Sequence, residues 1–136
     1  MTARFVLDSS VSASWLFGDE ADAWSDALLG ELQASEALVP TVWVLESVNV
    51  LLVAERRSRL TRAEVAHAAH LLRSLPIVVE EPQDADMERV LSVGQQTGLS
   101  AYDAAYLDLA ERAGLPLATR DAALRAAATR RGVTLA

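Results

Sequence analysis

Cysteine is absent from the 136-residue sequence, which excludes disulfides, thiolate-held metals and a cysteine nucleophile. Lysine is absent as well: all twelve basic residues are arginine. Schiff-base chemistry and a Walker-type phosphate loop each depend on a lysine amine, so neither is available. Histidine is limited to His67 and His70. No apolar run approaches the roughly 18 residues that span a membrane, and the N-terminus has no basic-then-apolar signal segment. Those two absences lead us to expect a cytoplasmic protein with no membrane association. Repeats, linkers and low-complexity tracts are missing too, so residues 1–136 are expected to form a single domain.

The composition that remains is that of a folded chain. Hydrophobic residues make up 51% and charged residues 23%, which rules against disorder. A chain of this length buries roughly two-thirds of its unfolded surface. The net charge is −7, and a chain this acidic does not hold nucleic acid by bulk electrostatics. A polyanionic partner would need positive charge supplied at the site, and a metal ion meets that need.

The stretch Arg4-Phe5-Val6-Leu7-Asp8-Ser9-Ser10 organises the chain. Its three consecutive apolar residues read as a short strand buried on both faces, the first and innermost of a parallel sheet. Asp8 ends that strand, at the carboxyl edge where ligands bind in open α/β sheets. Helical patterns follow over residues 10–17 and 21–34, then a strand over 37–39. Residues 41–57 are apolar on most sides; their β-branched content suggests a strand, but their length predicts a buried helix. A further helix over 61–75 opens with the capping box Thr61-Arg62-Ala63-Glu64. Strands at 77–79, 117–119 and 133–135 alternate with helices over 84–97, 100–113 and 121–130. The fold class expected is α/β, with a five-stranded, mostly parallel sheet and helices on both faces.

Four acids stand out against this background. Asp8, taken alone, reads equally as a turn or helix-cap residue. Glu46 lies three residues from Asn49 on the apolar helix, where a buried carboxylate is costly unless something positive meets it. Asp103 fits a capping box in Ser100-Ala101-Tyr102-Asp103, and Asp121 fits an N-cap. Together they say more than singly: Asp8 and Asp121 both follow strands, and Asp103 begins a helix that should face the same edge. Oxygen-rich sites without cysteine or histidine suit Mg²⁺ or Mn²⁺. His67 and His70, three apart on one helix, have no third ligand in reach by sequence and read as an ordinary helix face. Arg56, Arg57, Arg59 and Arg62 read as a solvated helix end.

With these acids placed, the chain resembles the PIN domains, and among them the VapC-type toxins of the VapBC toxin–antitoxin family. The matching pieces are Val6-Leu7-Asp8-Ser9-Ser10, Leu45-Glu46-Ser47-Val48-Asn49-Val50-Leu51, Leu99-Ser100-Ala101-Tyr102-Asp103-Ala104-Ala105-Tyr106-Leu107 and Ala113-Gly114-Leu115-Pro116-Leu117-Ala118-Thr119-Arg120-Asp121. The resemblance implies a Mg²⁺- or Mn²⁺-dependent endoribonuclease that forms a homodimer and is blocked by the tail of a small cognate antitoxin. It assigns Asp8, Glu46, Asp103 and Asp121 to the catalytic, metal-holding positions. Ser10 and Thr119 fill the hydroxyl positions beside the first and last acids, and Asn49 is a supporting partner. Some relatives carry a further acid just beyond the last aspartate; here Ala122, Ala123 and Leu124 follow, which leaves one or two ions open. Trp15 and Trp24 are candidate anchors for the antitoxin. A receiver domain would need a lysine, and a haloacid-dehalogenase-type phosphatase would need aspartate where Ser10 stands. The remaining rival is a catalytically inactive PIN-like module that binds RNA or protein.

Overall fold

Phe5, Val6 and Leu7 are 0–1% exposed because their strand lies inside the sheet with a neighbour on each edge. The computed structural model describes residues 2–136. In chain order the elements are β1 (Ala3–Leu7), α1 (Ser9–Ser14), α2 (Ala23–Glu31), β2 (Glu36–Val39), α3 (Val42–Arg56), α4 (Arg62–Ser74), β3 (Ile77–Val79), α5 (Asp86–Thr97), α6 (Ala101–Ala113), β4 (Leu117–Ala118) and α7 (Ala122–Arg130). The sheet runs β3-β2-β1-β4, every pair parallel. All four carboxyl ends therefore point the same way.

The α/β architecture is as the alternating pattern predicts, with four strands in place of five. Residues 133–135 make one parallel bridge, Leu117 to Leu135. Leu117 N–H donates to Thr134 O at 2.8 Å, and Ala136 N–H donates to Leu117 O at 3.0 Å. Strand β4 is two residues long, so its outer edge has little more than this one bridge to offer.

Helix α6 buries more residues than any other helix. Ala104, Tyr106, Leu107, Leu109 and Ala110 are all closed to solvent, joined by Leu124, Ala127 and Ala128 of α7. Ser100 Oγ accepts the Asp103 N–H at the start of α6, and Gly114, at φ 65°, ends it in the left-handed region that glycine enters without strain.

Helix α3 departs from expectation. It forms, but it buries only Trp43, Leu51 and Ala54, while Val44, Leu45, Val48 and Leu52 face solvent. It packs chiefly on α1 and α4, and a helix covered on one side hides one stripe. The indoles are likewise committed within the chain. Trp15 Nε1 donates to Ser25 O, Trp24 Nε1 to Ala136 O and Trp43 Nε1 to Ser12 Oγ. Trp15 and Trp24 both pack partly buried against the core. Among the described residues no helix is long and apolar enough to cross a membrane.

The contrast between α6 and α3 is measurable. Leu107→Ala should lower stability by about 2–5 kcal/mol, whereas Leu45→Ala, at 72% exposure, should stay within about 0.5 kcal/mol. Denaturant unfolding reads both. A Leu45→Ala penalty as large as that of Leu107→Ala would mean the outer face of α3 is covered in solution.

Candidate functional site

Because β1 and β4 are adjacent and parallel, the residues just past their carboxyl ends meet. Asp8 N–H donates to Ala118 O at 3.0 Å, which seats Asp8 beside Thr119. Asp8 is 4% exposed. It occupies the N-cap position of α1, yet its side chain makes no cap hydrogen bond. Instead Ser10 Oγ donates to Asp8 Oδ2 at 2.6 Å and Thr119 Oγ1 donates to the same oxygen at 2.8 Å. Burial raises the Asp8 pKa above its ordinary value, and the two hydroxyls pull part of the way back.

Glu46 sits on the second turn of α3, and its Oε1 also takes two hydroxyl protons: Ser9 Oγ at 3.2 Å and Tyr106 OH at 2.6 Å. The second oxygen of each acid is left without a hydroxyl partner. Asp121 caps α7, its Oδ2 accepting the Leu124 N–H at 2.8 Å. Thr119 Oγ1 also accepts the Asp121 N–H at 3.0 Å, so one hydroxyl ties the first and last acids together. Asp121 is thus a helix cap and a member of the cluster at once.

Asp103 completes the group from the first turn of α6. Its backbone N–H is capped by Ser100, but its side chain makes no reciprocal bond, so the expected capping box is only half formed. Its pKa is pushed up to about 6, by burial first and then by the negative charges of Asp121, Asp8 and Glu46. That repulsion marks the four acids as sharing one field. Asn49 is not brought in: it is exposed and makes no side-chain hydrogen bond among the described residues. Ser9 and Tyr106 hold Glu46 in its place. Tyr106 escaped the sequence reading because it matches the apolar stripe of α6. The usable signal was a buried phenol, which needs a partner, three residues beyond Asp103 on the same helix face.

Positive charge borders the acids on one side. Arg120 N–H donates to Ser10 Oγ, and its guanidinium pairs with Asp22 Oδ2 at 3.0 Å. Arg125 Nη1 donates to Thr119 O at 3.0 Å. Both guanidiniums lie against the Trp24 ring, 5.3 and 5.9 Å from its centre. His67 lines a separate apolar groove with Trp15, Leu16 and Leu71.

Among the described residues no three histidine, cysteine, aspartate or glutamate side chains are grouped so as to hold a metal ion as they stand. In chemistry the donors suit a hard divalent cation: all are carboxylate oxygens, and each of Asp8, Glu46 and Asp121 is anchored through one oxygen only. They constitute a donor set that an ion would have to draw together.

The raised acids fix the sign of a pH effect. Asp8 and Asp103 both hold protons to higher pH in the folded chain than the ordinary aspartate value of 3.8. The stability this contributes is present below about pH 4 and is lost as pH rises through the folded values, about 6 for Asp103. In chelator, the melting temperature should therefore fall between about pH 4 and about pH 7, and Asp103→Asn should flatten that slope. An unchanged slope in the variant would show that Asp103 does not feel the other acids.

Comparison with known proteins agrees with this fold. The profile of the PIN domain matches residues 5–129. A protein named Exonuclease VapC9, from Pyrobaculum aerophilum, is 35% identical over 71 residues, which are 52% of this chain and 53% of that relative. The match thus spans about half the relative's length. The crystal structure of PAE2754 from Pyrobaculum aerophilum superposes with a TM-score of 0.69 at 25% identity, covering 92% of this chain and 79% of that one. VapBC2 from Rickettsia felis, crystallised with a DNA fragment from its promoter, superposes at 0.68 with 11% identity over 97% and 96% of the two chains, a likeness of fold alone. The matched span runs from the first buried strand through α7 and takes in all four acids, and on that basis the chain belongs to the PIN-domain family.

Proposed function

We propose that this protein is a divalent-metal-dependent endoribonuclease and the toxin of a type II toxin–antitoxin pair. The observation that carries the reading is that Asp8 and Glu46 are each anchored through a single oxygen by two hydroxyls. Asp103 and Asp121 share their field. A bound Mg²⁺, or Mn²⁺ in its place, neutralises phosphate charge and lowers the pKa of an attacking water. Asp8, Glu46, Asp103 and Asp121 hold the ion. Ser10 and Thr119 keep Asp8 in place, and Arg120 and Arg125 set positive charge beside an otherwise acidic groove. His67 and His70 lie outside this cluster, so cleavage by paired imidazoles through the ribose 2′-hydroxyl is not part of the reading.

The partners in this reading are RNA, a second copy of the chain and a small cognate antitoxin. Two apolar grooves stay open for protein partners. One is lined by Trp15, Leu16, Leu60, Ala63 and Leu71, the other by Met87, Val90, Leu91 and Leu99. The 35%-identical relative from Pyrobaculum aerophilum bears the name VapC9, which favours a VapB-type antitoxin for this chain too. The second reading, a PIN-like module that binds RNA or protein without cutting, draws on the fact that no three of the described acids are grouped to hold a metal ion as they stand.

A circular RNA separates these activities. The purified chain should linearise it in Mg²⁺ or Mn²⁺, lose that activity in chelator, and lose roughly 100-fold or more on Asp8→Asn. Cleavage of linear but not circular RNA would make it an exonuclease. Cleavage that survives chelation would overturn the metal reading. A chain that binds RNA but neither Mn²⁺ nor a scissile phosphate productively is the inactive module.

A further inference from the structure

Tyr106 is fully closed to solvent, yet its polar end is not idle. Its phenol oxygen reaches from α6 to α3 and stops 2.6 Å from Glu46 Oε1, a contact between residues 60 apart in sequence. Ser9, the first residue of α1, donates to that same Oε1 at 3.2 Å. The phenol stays a donor: burial first, and then the Glu46 carboxylate, raise its pKa far above the ordinary range. Both Tyr106 and Ser9 therefore give protons to one atom.

Glutamate has three rotatable side-chain bonds, and an unrestrained carboxylate loses that freedom when it takes up a ligand. Two fixed donors on Oε1 remove the freedom beforehand and leave Oε2 as the oxygen still to be used. Asp8 is treated in the same manner, with Ser10 and Thr119 on Oδ2. The device occurs twice, on the two acids of the cluster that come from different layers of the fold. We propose that Tyr106, together with Ser9, is the positioning residue of this site, locking Glu46 through Oε1 so that Oε2 is presented to a divalent cation shared with Asp8. This rests on the reading of Glu46 as a metal-holding acid. If the phenol served only to satisfy itself, removing it would alter stability and nothing else.

The full-length chain is compared with Tyr106→Phe and Ser9→Ala. Mn²⁺ is titrated into each without RNA by calorimetry, and melting in chelator and the kcat and KM of RNA cleavage are measured alongside. Tyr106→Phe should bind Mn²⁺ about tenfold or more weakly, the range found when a group orienting a metal ligand is removed. Ser9→Ala, which loses the longer bond, should show a smaller loss in the same direction. In Tyr106→Phe, kcat should fall while KM for RNA holds. A folded Tyr106→Phe that melts lower but binds Mn²⁺ as the wild type does would overturn the proposal. If Tyr106→Phe does not fold, Ser9→Ala decides, and unchanged Mn²⁺ affinity there overturns it equally. Failure of the functional reading looks different: the wild type itself would take up no Mn²⁺, and the proposal would fall with it.

Discussion

Like charges gathered at one edge of a parallel sheet repel, and the surroundings of this site are shaped by that repulsion. Asp8 is held in place at a buried position by two hydroxyls. Glu46 is partly buried and has two of its own. Asp121 leans on the N-terminal N–H groups of α7, where a negative charge is favoured by the helix dipole. Asp103 has no such support, and burial first, then the charges of the other three acids, raise its pKa. The hydroxyls are therefore more than a frame. Each is a neutral donor that makes a buried anion tolerable without cancelling the charge a cation would bind.

Much of this was legible in the sequence because the signals are local. A hydrophobic triplet ended by an acid located β1 and Asp8, and the capping box at Thr61 and Glu64 forms with both reciprocal bonds, at 2.9 and 3.2 Å. Asp8, Asp103 and Asp121 stand out by their place at strand ends and helix starts, and Glu46 as a carboxylate on an apolar helix. What stayed hidden depends on contacts across the fold. Tyr106 looked like one more apolar residue on α6, since nothing in its neighbours announces a carboxylate arriving from α3. The outer face of α3 looked buried because sequence gives the apolarity of a helix but not how many neighbours it meets. The segment at 133–135 carried strand-like residues, and whether they paired depended on how much edge β4 left them.

The lack of lysine gives the surface its character. Arginine's planar fork can hold two groups at once, and the fold uses it to tie elements together. Arg112 joins Glu80, at 2.8 Å, to the buried Asp108, at 2.9 Å. The acidic loop between α1 and α2 is held from two sides: Arg59 pairs with Asp19 while stacking 3.9 Å over Phe17, and Arg120 pairs with Asp22. Asp22 is drawn down to about 2 by that guanidinium and by its own role as the cap of α2. Basic groups so engaged are not loose charge, which fits a protein whose net charge is −7.

The order in which the polypeptide is made gives the Thr119 contact a further meaning. Asp8 leaves the ribosome well before the hydroxyl that steadies it, which lies 111 residues downstream. Strand β1 is in the same position, since one of its two neighbours, β4, is the last strand of the sheet. Glu46 waits 60 residues for Tyr106. A growing chain thus carries the acids long before it carries what arranges them, and domains fold as units once their sequence is complete. The cluster cannot assemble on a nascent chain until Thr119 has been synthesised, so the site stays unformed through most of the domain's synthesis.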